Sequence, residues 1–136
     1  IVALALGAEG INMGTRFMAV KECPVPDAVK DRMLESQENS TVIVQQSIGN
    51  PSRVLRTPWA EKVLELELKG ASFEELVPYI SGDTAARGWR AGNIDEGLLS
   101  VGQVVGRIND VPTVAELMER IVAEAKDTKE KLDGLF

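Results

Sequence analysis

Histidine is missing from all 136 residues. Its absence removes the usual base near neutral pH, the commonest metal ligand and the partner of any Ser-His or Cys-His nucleophile. If the chain belongs to an enzyme, either a cofactor carries the chemistry or the acid-base residue lies elsewhere. A single cysteine, Cys23, excludes an internal disulfide framework and a multi-Cys zinc site. The expectation for that thiol is a buried, inert residue. No apolar run approaches the roughly 20 residues of a membrane helix, and the opening IVALALGA has neither the basic flank nor the small-residue cleavage site of a signal peptide. A cytoplasmic location away from membranes is the default. Positive charge is scarce as well: 15 basic residues face 21 acidic ones, for a net charge of -6. A phosphate backbone needs clustered Lys and Arg, so nucleic acid is not an expected partner. The local exceptions are Arg53, Arg56, Arg87 and Arg90; Arg53 and Arg56 are expected to pair with the abundant carboxylates rather than to meet the phosphate of a substrate or nicotinamide cofactor. Repeats and low-complexity segments are absent too.

What is present has ordinary globular makeup, 44% hydrophobic and 26% charged, at a length fitting one domain or part of a larger one. Residues 1–6 have helix-forming composition and stop at Gly7, a natural left-handed cap. So short a helix reads as the last turns of a longer one beginning upstream of Ile1. The next apolar segment, residues 10–13 (GINM), suits a short strand buried in a parallel sheet, and helix, Gly-rich turn and strand make half of a βαβ unit. Asp27 is expected to cap a helix over 27–36 with Ala28, Val29, Met33 and Leu34 inward. Thr41 to Ile43 are β-branched in succession and predict a strand, closed by Gly49, Asn50 and Pro51. Thr57-Pro58 starts a helix through about Lys69. Ser72 and Glu75 form a capping box for another, which Pro78 should disturb. Residues 81–93 read as a loop, and 94–108 as either irregular or tightly packed backbone, because Gly97, Gly102 and Gly106 interrupt a helical composition. Thr113 and Glu116 open the last helix, with Val114, Leu117, Ile121, Val122 and Ala125 at helical spacing. One or two strands against four or five helices are too few for a stand-alone α/β domain, so the chain reads as the tail of a larger fold.

The chemistry-bearing stretch is INMGTRF. Glycine lets an anion approach the backbone, and a helical turn after it aims N–H dipoles at that anion, which is how a phosphate cradle works. Gly14-Thr15 taken alone is more commonly a tight turn and helix cap. The loops after the last two strands of (β/α)8 barrels often form such a cradle. Trp59 and Trp89 are expected to pack rather than stack on a ligand.

The run ALALGAEGINMGTRFMAVKECPV, with NPSRVL and NIDEGLLSVGQVVGRINDVPTVAELMERIVAEA, closely resembles the FMN-dependent nitronate monooxygenases, formerly 2-nitropropane dioxygenases, and related NADH:quinone reductases. The middle of the chain, 57–93, is the looser part. That resemblance implies an α/β fold: the C-terminal part of a (β/α)8 TIM barrel with its last strand, plus a mainly helical added domain. Residues 1–23 would end the seventh barrel helix and hold the eighth strand and phosphate loop; 24–110 would form the added domain; 111–136 would return to the barrel. The resemblance places FMN phosphate contacts on Gly14 and Thr15, with Met13 adjacent, and brings Gly102 and Gln103 of SVGQVVG near the flavin. For that second stretch a glycine-containing segment packed on the barrel is an equal alternative. The family's catalytic histidine falls upstream, so this chain is expected to contain none of the catalytic residues and to be inactive alone. A histidine often follows the family's CP pair; Pro26 and Asp27 stand there instead. The implied activity is oxidation of alkyl nitronates by O2; the alternatives are an NAD(P)H:quinone reductase of the same family and, in another class, a small helical interaction domain without flavin. The expected partners are a small-molecule substrate, nitronate or quinone with NAD(P)H, and a second copy in a homodimer.

Overall fold

The computed structural model describes residues 1–135, which divide into two compact units: Ile1–Pro24 together with the chain from Asp110 onward, and Val25–Asn109.

The second unit builds its core around a β-hairpin. Strand β1, Thr41–Val44, pairs antiparallel with β2, Ser52–Leu55, placing Thr41 opposite Leu55 and Val44 opposite Ser52. The β-branched run predicts β1; β2 has weaker propensity, forms by pairing, and was not expected as a strand. Leu55 N–H extends the edge by donating to Leu99 O at 2.8 Å. The connecting loop puts Gln45 at φ +64°, a conformation costly for a residue with a side chain. Glu67 compensates, its carboxylate accepting from Gln45 N at 2.8 Å, Ser47 N at 2.9 Å and Ser47 Oγ at 2.8 Å.

Helix α3, Asp27–Leu34, precedes the hairpin. Its N-cap is Pro26, with no side-chain cap, so the cap expected at Asp27 is not made. Inside face Val29, Lys30 and Met33, whereas Ala28 is exposed and Leu34 only half-buried. Helix α4, Pro58–Leu68, starts as expected, Thr57 Oγ1 accepting from Ala60 N at 3.2 Å. Helix α5, Phe73–Ile80, has its Ser72–Glu75 capping box and runs through Pro78 rather than breaking there. Helix α6, Gly82–Arg90, occupies the region expected to be a loop. The Ser81 hydroxyl accepts from Asp83 N, and acid leads and base ends the helix, which its dipole favours; burial of Thr84, Ala85 and Gly88 outweighs the turn-forming composition.

Val44, Val54, Ala60, Val63 and Leu76 are fully buried and make one cluster, with Trp59 and Tyr79 packed against it. Trp59 Nε1 donates to Tyr79 O at 2.8 Å and the two rings lie 5.5 Å apart, so Trp59 packs as expected. The glycine-interrupted segment is irregular, ending in a 3₁₀ turn over Gln103–Arg107. Close packing accompanies the irregularity: a Cβ at Gly106 would lie 2.2 Å from Glu38 N, and one at Gly97, where φ is +93°, 2.4 Å from Ala85 Cα.

The first unit contains helix α1, Val2–Ala5, helix α2, Thr15–Met18, and helix α7, Val114–Asp133. Gly7 ends α1 at φ +93°, as its type predicts. Residues 10–13 do not form the expected strand. A strand exists through its ladder partners, and among the described residues none runs beside this segment. Helix α7 has the expected Thr113–Glu116 capping box and continues past Lys126 to Asp133. Glu22 reinforces that start, both carboxylate oxygens accepting from Val114 N at 2.9 Å. Of its apolar face only Leu117 is buried; Leu4, Ala5 and Ile11 line an open groove of about 570 Å3 with Ile121, Val122 and Ala125. No helix among the described residues is long and apolar enough to cross a membrane.

Candidate functional site

Met13, Gly14 and Thr15 sit together at the N-terminal end of α2. Gly14 is the N-cap, with φ -89° and ψ -72°, and its carbonyl accepts from Phe17 N at 3.0 Å and Met18 N at 3.2 Å. No side chain caps this end, and space is open where a Cβ on Gly14 would stand. Gly14 is exposed while Met13 and Thr15 are half-buried. The turn is therefore accessible on the side where a helix dipole is positive.

A four-residue helix is far below the length that holds itself together, and here side chains supply the rest. Arg16, whose side chain is 15% exposed, donates from Nη2 to Ala19 O at 2.9 Å and Asp110 O at 3.0 Å, and from Nη1 to Asp110 Oδ1 at 3.3 Å. The other Asp110 oxygen is 2.7 Å from Arg120 Nη2 on α7. One carboxylate thus joins two guanidiniums. The Arg120 hydrogen bond, working against the desolvation of the carboxylate and assisted by both positive charges, holds the Asp110 carboxyl below its ordinary value. Arg16 Nε is buried without a hydrogen-bond partner. The chain beyond α2 is tied down by Lys21 N donating to Pro112 O at 2.9 Å, and Ala19 and Val20 are buried.

Gly102 and Gln103 belong to the second unit. Gly102 is the N-cap of the 3₁₀ turn, with extended backbone, and Gln103 is exposed as its first residue. Arg56 pairs with Glu61 as expected, and Arg87 lies 3.7 Å from Glu96; Arg53 instead donates to the Thr41 hydroxyl, Oγ1, at 2.9 Å. Cys23 is half-buried rather than buried. Among the described residues no acidic, Cys or His cluster is arranged to hold a metal ion.

The nitronate monooxygenase profile matches residues 2–124. The chain belongs to the nitronate monooxygenase family. A Mycobacterium tuberculosis relative named (3aS,4S,5R,7aS)-5-hydroxy-7a-methyl-1-oxo-octahydro-1H-indene-4-carboxyl-CoA dehydrogenase is 31% identical over 90% of this chain and 45% of its own length. A Staphylococcus aureus protein named "Probable nitronate monooxygenase" is 28% identical over 49% of this chain and 19% of its own. The solved structure of FabK from Thermotoga maritima superposes with a TM-score of 0.84 at 36% identity, covering 98% of this chain and 42% of that one. The chain thus spans less than half the length of these relatives.

Arg16, Asp110 and Arg120 went unnoticed in the sequence as site-forming residues. Arg16 adjoins the Gly-Thr pair, and adjacency was the available signal. Its partner lies 94 positions away, and nothing local encodes that.

Proposed function

We propose that this chain supplies the phosphate-binding end of a flavin site in an oxidoreductase that takes alkyl nitronates and O2. Residues 1–23 and 111–136 belong to its (β/α)8 barrel and 24–110 to an added, mainly helical domain. Residues 10–13 gain strand pairing when neighbouring barrel strands are supplied. The carrying observation is the uncapped, open Gly14 turn, buttressed by an arginine, in a chain of this family.

The residues present fit FMN. Gly14 and Thr15 would take its phosphate, because a glycine leaves the backbone approachable and an adjacent guanidinium favours an anion. Met13 would flank it. Arg16 keeps one buried donor, Nε, without an acceptor. FMN, when bound, supplies the redox chemistry that no side chain here can perform. The chain's own part is binding and orientation; with no histidine, proton transfer falls to the remainder of the parent enzyme.

The dehydrogenase relative, which matches most of this chain, favours a second reading within the same flavin class, with a carboxyl-CoA substrate. Family membership argues against a flavin-free interaction module. Steady-state turnover by the full-length protein of propionate 3-nitronate with O2, of NADH with benzoquinone, and of a carboxyl-CoA ester separates these activities. Nitronate turnover dominating the others is the expected result; failure in all three assays removes the assignment.

A further inference from the structure

We infer that the loop joining β1 to β2, in the unit of residues 25–109, is a carboxylate-binding nest and that Glu67 is its tethered ligand, a latch whose place a free carboxylate can take. Three observations lead to it.

First, the loop carries donors that it does not satisfy itself. Its far end closes internally: Gly49 N donates to Gln46 O and Asn50 N to Gln45 O, both at 3.1 Å, and Asn50 Nδ2 donates to Gln45 Oε1 at 3.2 Å. The Gln45 and Ser47 amides instead have their acceptor outside the loop, on Glu67 of α4. Glycines aside, Gln45 at φ +64° is the one left-handed residue among those described. A left-handed residue in a turn makes successive N–H groups converge, and that concavity binds anions.

Second, the donor set suits a carboxylate. Oε2 of Glu67 accepts from Gln45 N at 2.8 Å, while Oε1 accepts from Ser47 N at 2.9 Å and from Ser47 Oγ at 2.8 Å. Donors two residues apart are met by two oxygens of one planar group, which a point anion does not offer. Burial pushes the Glu67 carboxyl up, yet hydrogen bonds from Ser47, Gln45 and the Gln46 amide outweigh it and hold the group below its ordinary value.

Third, α4 by itself gives no reason for an anion at this position. Glu67 lies in the last turn of the helix, where the dipole favours cations. Lys62 and Lys69 pair with Glu65, at 3.1 and 3.5 Å, and no ion pair of Glu67 itself occurs among the described residues. Its partners are the loop donors, 20 and 22 positions away along the chain. A tether supplies such a ligand at an effective concentration of roughly millimolar order, so a free carboxylate well above that range takes over once Glu67 is shortened.

The test is hydrogen exchange of the full-length protein, read on fragments covering residues 45–47 at fixed neutral pH, in about 200 mM sodium acetate or in sodium chloride of equal ionic strength. In chloride, Glu67→Ala is expected to exchange at least about tenfold faster there than wild type, the low end for losing a hydrogen bond to a charged group. Acetate should return the variant to within about threefold of wild type and leave wild type unchanged, because that nest is already filled. Glu67→Gln, whose amide still fills the nest, should gain nothing from acetate. Should Glu67→Ala not fold, as reported by tryptophan fluorescence, Glu67→Ser is read in the same way. Unchanged exchange in the shortened variant overturns the latch. Exchange that acetate fails to restore, or equal restoration in the Ala and Gln variants, overturns the nest.

Discussion

The two units of this chain satisfy their apolar side chains in opposite ways. In the unit of residues 25–109 the hairpin, α4 and α5 enclose Val44, Val54, Ala60, Val63 and Leu76 completely. In the other unit Leu117, Ala19 and Val20 are buried, but Val2 is 74% exposed, Leu6 84% and Ile11 56%, and polar ties such as Glu22 to Val114 and Arg16 to Asp110 hold the segments in place. The first is a core that carries its own stability. The second is an arrangement fixed by hydrogen bonds, with hydrophobic surface left to be covered. It is also the unit containing the Gly14 turn.

Both tryptophans, Trp59 and Trp89, lie in the cored unit, so their fluorescence reads that unit while far-UV dichroism reads both. The contrast is broken most severely by Leu76→Ala, which removes a fully buried side chain and should cost about 3 kcal/mol in a urea titration followed by fluorescence. Gly106→Ala should cost about 2 kcal/mol, because the new methyl would meet the backbone at Glu38 and overpacking forces a shift. An unchanged urea midpoint would show that this approach is not tight in solution. Glu67→Ala should cost roughly 1.5 kcal/mol through its charge-assisted hydrogen bonds to Gln45 and Ser47, detected as faster amide exchange confined to the hairpin loop.

In the polar-tied unit the sensitive variable is pH. The Asp110 pKa lies below its ordinary value when folded, so its contribution is fully present above the unfolded value of about 3.9 and disappears as pH falls through the lower folded value. The stability difference between wild type and Asp110→Asn, by dichroism, should be constant from pH 7 to about 5 and shrink below about 4. A difference that grows on acidification would contradict the pairing. The smallest effect is expected at Leu6→Ser: a stability change within about 0.5 kcal/mol, with higher solubility in ammonium sulfate precipitation, since the side chain is already exposed.

Local signals were legible where one stretch of chain contains both partners of an interaction. Thr57-Pro58, Ser72 with Glu75, and Thr113 with Glu116 each mark a helix start, and the β-branched run marks β1. Helix α6 was missed because its glycine-rich composition argues for a turn, and burial of Thr84, Ala85 and Gly88 against the rest of its unit reverses that preference. The strand expected at 10–13 failed for the converse reason: apolar composition supplies the tendency, but pairing requires a neighbour. At the candidate site, Gly14 and Thr15 were visible as a motif, whereas the Arg16–Asp110–Arg120 support was not.

By itself, the sequence determined where α4, α5 and α7 begin and where glycine ends α1, because those preferences depend on a few adjacent residues. Tertiary structure alone decided which apolar faces are covered, why Gly106 must remain small, and how a four-residue turn is held. Each of these requires groups far apart along the chain to meet, and the free energy of that meeting belongs to the pair.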